Sequence, residues 1–171
     1  MYPLSNLPQY RSAFIAQVSR EVPHPDEQQR FIQVLDHFVQ WSVLRPGKLG
    51  LSEASNRKHI VSFERLADGA VFWTAYPRDR GARLEILPRA RPSLSAARLE
   101  DAIAVLSSVT VEPISEETPL SISFAALKNA DARDRVTQLL DRILSDPCAP
   151  APRKTTRSRA SAEVAAISLS D

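Results

Sequence analysis

His59-Ile60-Val61-Ser62-Phe63-Glu64, Ala70-Val71-Phe72-Trp73-Thr74-Ala75-Tyr76 and Ala82-Arg83-Leu84-Glu85-Ile86-Leu87 are three β-rich runs in close succession. Valine, isoleucine and aromatic residues fit a pleated, half-buried surface. Asp68-Gly69 separates the first two runs and Arg78-Asp79-Arg80-Gly81 the last two. Short glycine-containing connections between such runs predict hairpins, so the three form an antiparallel meander. In the third run Leu84 and Ile86 share one face while Arg83 and Glu85 share the other. One face of the sheet is therefore expected to be packed and the other solvated.

Upstream the period changes to that of helices. Tyr10, Phe14, Ile15 and Val18 predict a short helix to about Glu21. Val22-Pro23-His24-Pro25 breaks it, because a proline disfavours helix in the residue before it. Asp26 and Glu27 then open a longer helix, acidic at the end where the helix dipole favours negative charge. It is expected to run to about Leu44. Phe31, Leu35, Phe38 and Ser42 form its stripe, Ile32, Val39 and Val43 flank it, and Trp41 widens it. Pro46-Gly47 reads as its stop.

Downstream, Pro88 and Pro92 end the sheet region. Ser93 or Ser95 caps a helix from about Ala96 to Ser107 that buries Leu99, Ile103 and Leu106. Glu112 to Pro119 is an acidic loop. Leu120-Ser121-Ile122-Ser123-Phe124 alternates as a fourth strand would, and Asn129 or Asp131 caps a last helix to about Leu144. Val136, Leu139, Leu140 and Ile143 face inward on that helix. Helices set apart from a hairpin-connected sheet predict an α+β domain over residues 1–147, in the order ααβββαβα, with a sheet of three or four strands. From Cys148 on, Pro, Ser, Arg153, Lys154, Arg157 and Arg159 dominate, which predicts a disordered basic tail over 148–171.

Composition narrows the setting. The one cysteine, Cys148, excludes an intramolecular disulfide and points to a reducing compartment. No apolar run approaches the roughly 18 residues of a membrane span. Met1-Tyr2-Pro3-Leu4-Ser5 has neither the basic nor the apolar region of a signal peptide. A cytoplasmic protein without a membrane segment is expected, and the arginine- and alanine-rich composition fits a GC-rich bacterial genome. The net charge of +2 is unevenly spread. Residues 57–91 hold eight basic and four acidic side chains, whereas residues 92–147 hold five basic and nine acidic. Such a separation steers partners or closes on itself.

Searches for catalytic patterns return little. Four glycines build neither a phosphate loop nor a dinucleotide fingerprint. His24, His37 and His59 are far apart, with no metal-ligand spacing, so neither a metal nor a cofactor is expected. Cys148 lies beside no structured basic pocket that would lower its pKa. The acid constellation to weigh is nuclease-like: Asp68, Asp79 and Glu85 lie in or beside the meander. Leu87 stands where that pattern wants a lysine, and aspartate is an ordinary turn former. No catalytic residue is assigned.

Binding has a fuller pattern. Phe72, Trp73 and Tyr76 precede Arg78, Arg80 and Arg83, and Arg89 and Arg91 follow. Aromatics interleaved with arginines on a solvated sheet face stack bases and pair phosphates. Side chains alternate, so Trp73 and Tyr76 share no face of an unbulged strand, and the alternative is that Trp73 belongs to the core. Arg65, Tyr76, Arg78, Arg80, Arg83, Arg89 and Arg91 are the candidate binding residues.

The spacing Lys58-x-Ile60-x-x-Phe63-x-Arg65, then Phe72, then Pro77-Arg78-x-x-Gly81-x-x-Leu84 resembles a small bacterial domain of unknown function. That domain occurs alone or fused to predicted nuclease-like or transport-annotated proteins. The resemblance spans about residues 58–87, and this chain departs from it at Trp73 and in a longer first turn. It implies a compact α+β module and carries over no functional residue.

The expectation is thus a non-enzymatic interaction module that binds protein or nucleic acid through a basic sheet face. Two alternatives stand beside it. One is a small enzyme, nuclease-like or with a cryptic site, marked by a convergent buried carboxylate pair. The other is a subunit of an operon-encoded complex, marked by an exposed apolar patch around Trp41 or Trp73.

Overall fold

The structure is a computed structural model. It describes residues 12–145 apart from 13, 17, 21, 23, 54–58, 67–68, 77–81, 87–93 and 117–118. The expected tail lies outside the described residues.

Residues 14–16 and 18–20 are helical and place Phe14 and Val18 in the core. Helix α1, Pro25–Val43, starts on a proline with Asp26 and Glu27 in its first turn. His24 gives it no side-chain cap. Gln28 instead folds back and donates to the Val22 carbonyl at 2.6 Å, tying α1 to the preceding segment. The expected stripe is buried in full, and Val34 joins it.

Five strands follow the register of one antiparallel sheet, in sequence order from edge to edge. They are β1 (Gly47–Glu53), β2 (His59–Arg65), β3 (Val71–Tyr76), β4 (Arg83–Ile86) and β5 (Ser121–Ser123). Between β4 and β5 comes α2, Ala96–Val109, capped by Ser95, whose hydroxyl accepts from the Arg98 amide at 3.4 Å. A 3-10 turn, Ala126–Lys128, leads into α3, Ala130–Ser145. Asn129 caps that helix by accepting from the Asp131 amide at 2.9 Å.

The α+β class is as expected, but the sheet has one more strand. The additional strand is β1, where the sequence reading places only the Pro46-Gly47 stop of the preceding helix and assigns no element. In the fold Gly47 lies opposite Arg65, beside the Phe63 ring. A Cβ at Gly47 would overlap that ring and approach the Glu64 carbonyl oxygen to 2.6 Å. The glycine is therefore a close-approach position inside a strand.

A second departure from simple alternation lies in β3. Phe63 pairs with Trp73 and Glu64 with Val71, so Phe72 has no partner across the ladder. This β-bulge inserts one residue and resets the faces. Both consecutive rings are consequently buried: Trp73 sits 6.1 Å from Phe38 and Phe72 sits 6.3 Å from Phe63.

The core lies between the helices and one sheet face. Val61, Phe63, Trp73, Ala75, Leu84, Ile86 and Ile122 line that face, all buried. Trp41 meets Phe63 edge-on at 5.6 Å, and Phe31 meets Phe124 edge-on at 5.7 Å. Edge-to-face pairs add about 0.5–1.5 kcal/mol beyond area burial. Asp141 on α3 accepts from the Trp41 indole at 3.2 Å and from Arg45 Nε at 2.7 Å, so α1 and α3 are clasped at one end. Arg142 and Asp101 join α3 to α2 at 3.0 Å.

Both tryptophans are thus core residues, Trp41 7% and Trp73 0% exposed. Among the described residues no helix is long and apolar enough to cross a membrane.

Candidate recognition face and cleft

The strand register fixes what the opposite face presents. Ser62 pairs with Thr74, Thr74 with Glu85, and Glu85 with Ser121. Alongside this row Tyr76 pairs with Arg83 and Arg83 with Ser123. With period-two alternation all of these side chains lie opposite the core. Ser62, Tyr76, Arg83, Glu85, Ser121 and Ser123 are half-buried, while Thr74, on the central strand, is nearly covered by its neighbours.

At the β4–β5 end this face meets the loop after α2. Tyr76, Arg83, Glu85, Ser121, Glu112, Pro113 and Pro119 line a cleft of about 430 Å³ there. The cleft is built by chain reversal: α2 carries the chain away from β4, and the loop returns it to β5 beside the same strand. The prolines stiffen that return, since each fixes its own φ.

Arg83 is the anchor. Its two terminal nitrogens grip Glu112 at 3.2 and 2.6 Å in a bidentate pair. Its Nε donates to the Ser121 hydroxyl at 2.8 Å, and a terminal nitrogen also donates to the Ser121 carbonyl at 3.2 Å. The fork geometry of the guanidinium thus ties strand, loop and neighbouring strand together. The hydrogen bond from Arg83 holds the Glu112 carboxyl below its usual pKa range. The Glu85 carboxylate, in the same cleft, makes no hydrogen bond or ion pair with a described side chain.

The candidate binding residues separate into three groups. Tyr76 and Arg83 come together in the cleft. Arg65 does not join them: it is 8% exposed, and its guanidinium lies 5.1 Å over the Phe72 ring. Arg78, Arg80, Arg89 and Arg91 lie outside the described residues, as do Asp68 and Asp79 of the nuclease-like set. Among the described residues the buried polar side chains are Ser42, Arg65, Thr74 and Thr137, none of them a carboxylate. No group of three metal-ligating side chains occurs among them either.

Glu85, Glu112, Ser121, Pro113 and Pro119 complete the cleft, and sequence reasoning did not gather them. The outward alternation of Arg83 and Glu85 was visible. That of Ser121 was visible too. Missing was the adjacency of β4 and β5, which lie more than thirty residues apart and are joined only by the tertiary fold.

In comparisons with protein-family models, with curated proteins and with solved structures, nothing matches this chain.

Proposed function

We propose that the protein is a binding module that engages a protein partner through the polar face of its sheet, with the cleft beside β4 and β5 at its centre. The observation that supports this reading is the one-sided packing. The core covers one face, and the other carries hydroxyls, a tyrosine and a fixed Arg–Glu pair. Pre-positioned polar groups beside a concave, proline-walled surface suit recognition at little ordering cost. Protein is favoured over nucleic acid by the charges in the cleft: Arg83 is neutralised by Glu112, and Glu85 adds a negative charge where a phosphate would have to approach. The positive excess of residues 57–91 is what nucleic acid would use, so it is the other outcome to test.

The test places a photo-crosslinking residue at Ser62 or Ser121 on the face, and at Ser107 or Gln138 on exposed helix surface, in cells producing the full chain. Discrete protein adducts from the face positions alone, unchanged by nuclease, support the reading. Adducts that vanish with nuclease, equal adducts from the helix positions, or none at all, overturn it. Arg78, Arg80 and Arg83 changed together to alanine then decide the nucleic-acid outcome, because phosphate contacts set the salt dependence of affinity.

A further inference from the structure

We propose that the cleft between β4, β5 and the 110–119 loop seats a cationic side chain, an arginine or lysine of the partner, against Glu85. This inference rests on the protein-binding reading above and deepens it.

An anion is the first ligand to consider, since the cleft contains an arginine. Arg83 offers five N–H groups. Four of them are already used: Nε on the Ser121 hydroxyl, one on each terminal nitrogen toward Glu112, and one on the Ser121 carbonyl. An anion would have to break a bidentate ion pair to gain strong contacts. It would also enter a cleft whose described lining residues include two carboxylates and one guanidinium.

A cation meets the reverse conditions. Glu85 is charge without a partner among the described residues, and it sits one ladder position from Ser121 and Thr74. Glu112 is held in place by Arg83 and still adds negative potential. Tyr76 contributes an aromatic ring, which attracts cations over its face. Pro113 and Pro119 supply apolar walls for the methylene stem that arginine and lysine carry behind their charged heads. A long stem with a cationic end fits this arrangement, and a bare metal ion does not use its walls. Among the described residues the guanidinium that lines the cleft, that of Arg83, is committed to Glu112 and does not serve Glu85.

The experiment titrates isotope-labelled full chain, followed by its backbone amide signals, with capped Ala-Arg-Ala. The same tripeptide with citrulline, the uncharged isostere of arginine, and with glutamate are run beside it, together with inorganic phosphate. The arginine peptide is expected to shift Tyr76, Arg83, Glu85 and Ser121 in a saturable way that weakens with salt. The citrulline peptide is expected to leave them unmoved, and Glu85→Gln to weaken the arginine peptide about tenfold, the scale of one charge-assisted contact. Equal binding of citrulline and arginine peptides overturns the proposal even if Glu85→Gln fails to fold. So does a response to phosphate or the glutamate peptide, or no response at saturating arginine peptide. Shifts around Ser62 and Thr74 without charge preference would end the cation assignment and leave the sheet-face reading standing. Crosslinks absent from the face would end that reading itself.

Discussion

Trp73 donates its indole N–H to the Ser42 hydroxyl at 3.0 Å, and Ser42 in turn donates to the Phe38 carbonyl at 2.8 Å. This relay joins the central strand β3 to α1 through buried side chains. It satisfies an indole that would otherwise be a lone polar group in the core. Ser42→Ala removes the acceptor and keeps the packing nearly unchanged. The expected cost is about 1–3 kcal/mol, the desolvation penalty of an unpaired buried donor. Urea denaturation measures it; a loss within about 0.5 kcal/mol of zero would show that the hydrogen bond carries no weight.

The Arg83–Glu112 pair gives the cleft an acid-sensitive wall. Glu112 titrates below the ordinary 4.5 because Arg83 hydrogen-bonds its ionised form. A carboxyl with a lowered folded pKa stabilises the fold above its unfolded pKa and loses that contribution as pH falls through the folded value. The pair is partly exposed, so its contribution is screened and small. Glu112→Gln is expected to lose that small contribution at neutrality and to flatten the acid limb below pH 4.5, so that variant and parent converge at low pH. The Lys128–Glu27 pair, 2.8 Å apart, lowers the Glu27 pKa in the same way and keeps its own part of that limb in the variant. An unchanged acid limb in Glu112→Gln would show the pair to be energetically idle.

His37 is also held below its usual pKa range, but because burial disfavours its charged form rather than because a partner favours it. Its Nε2 is buried without a hydrogen-bond partner, as is Nε of Arg133. Desolvation lowers its pKa below 6.5, Arg133 lowers it further, and Asp134 partly opposes them. The folded protein therefore keeps His37 neutral where the unfolded chain would protonate it. Between the lowered folded value and 6.5 the unfolded state binds more protons, so stability falls as pH drops through that window and levels off below it. His37→Gln is expected to remove this slope, which urea midpoints taken across the window would reveal. A wild-type stability curve that is flat there contradicts the placement of His37.

What could be read in advance, and what could not, follows the range of the interactions involved. The stripe of α1, a serine cap at 93 or 95 and the inward residues of α3 are set within a few residues of chain, and each was legible. The outward parity of Arg83 and Glu85 was legible for the same reason. The bulge at Phe72 was not, because it depends on how β3 is matched against β2. It explains why Phe72 and Trp73, one residue apart, are both core residues where alternation would separate them. The cleft was hidden for a stronger reason: its two strands meet only after α2 and the loop that follows it have been placed. Arg65 shows the limit of composition, since a basic residue in a basic segment ended up stacked on a core ring.

β1 is the clearest case of tertiary structure overruling a local signal. Gly47 follows a proline and reads as a helix stop, yet it begins a seven-residue strand. The Phe63 ring occupies the space its Cβ would take. Phe63 cannot withdraw easily, because Trp41 and Phe72 pack against it edge-on from other elements. Gly47→Ala is therefore expected to destabilise by about 1–3 kcal/mol, the usual cost of overpacking a tight core. Intrinsic propensity predicts the contrary sign, since alanine replaces a flexible glycine in a strand. Pairing the change with Phe63→Leu separates the two accounts. If the ring is the obstacle, the cost of Gly47→Ala shrinks in the Phe63→Leu background, and the two changes are non-additive in a double-mutant cycle. Additive costs would mean that the strand end moves aside and that the glycine is there for another reason.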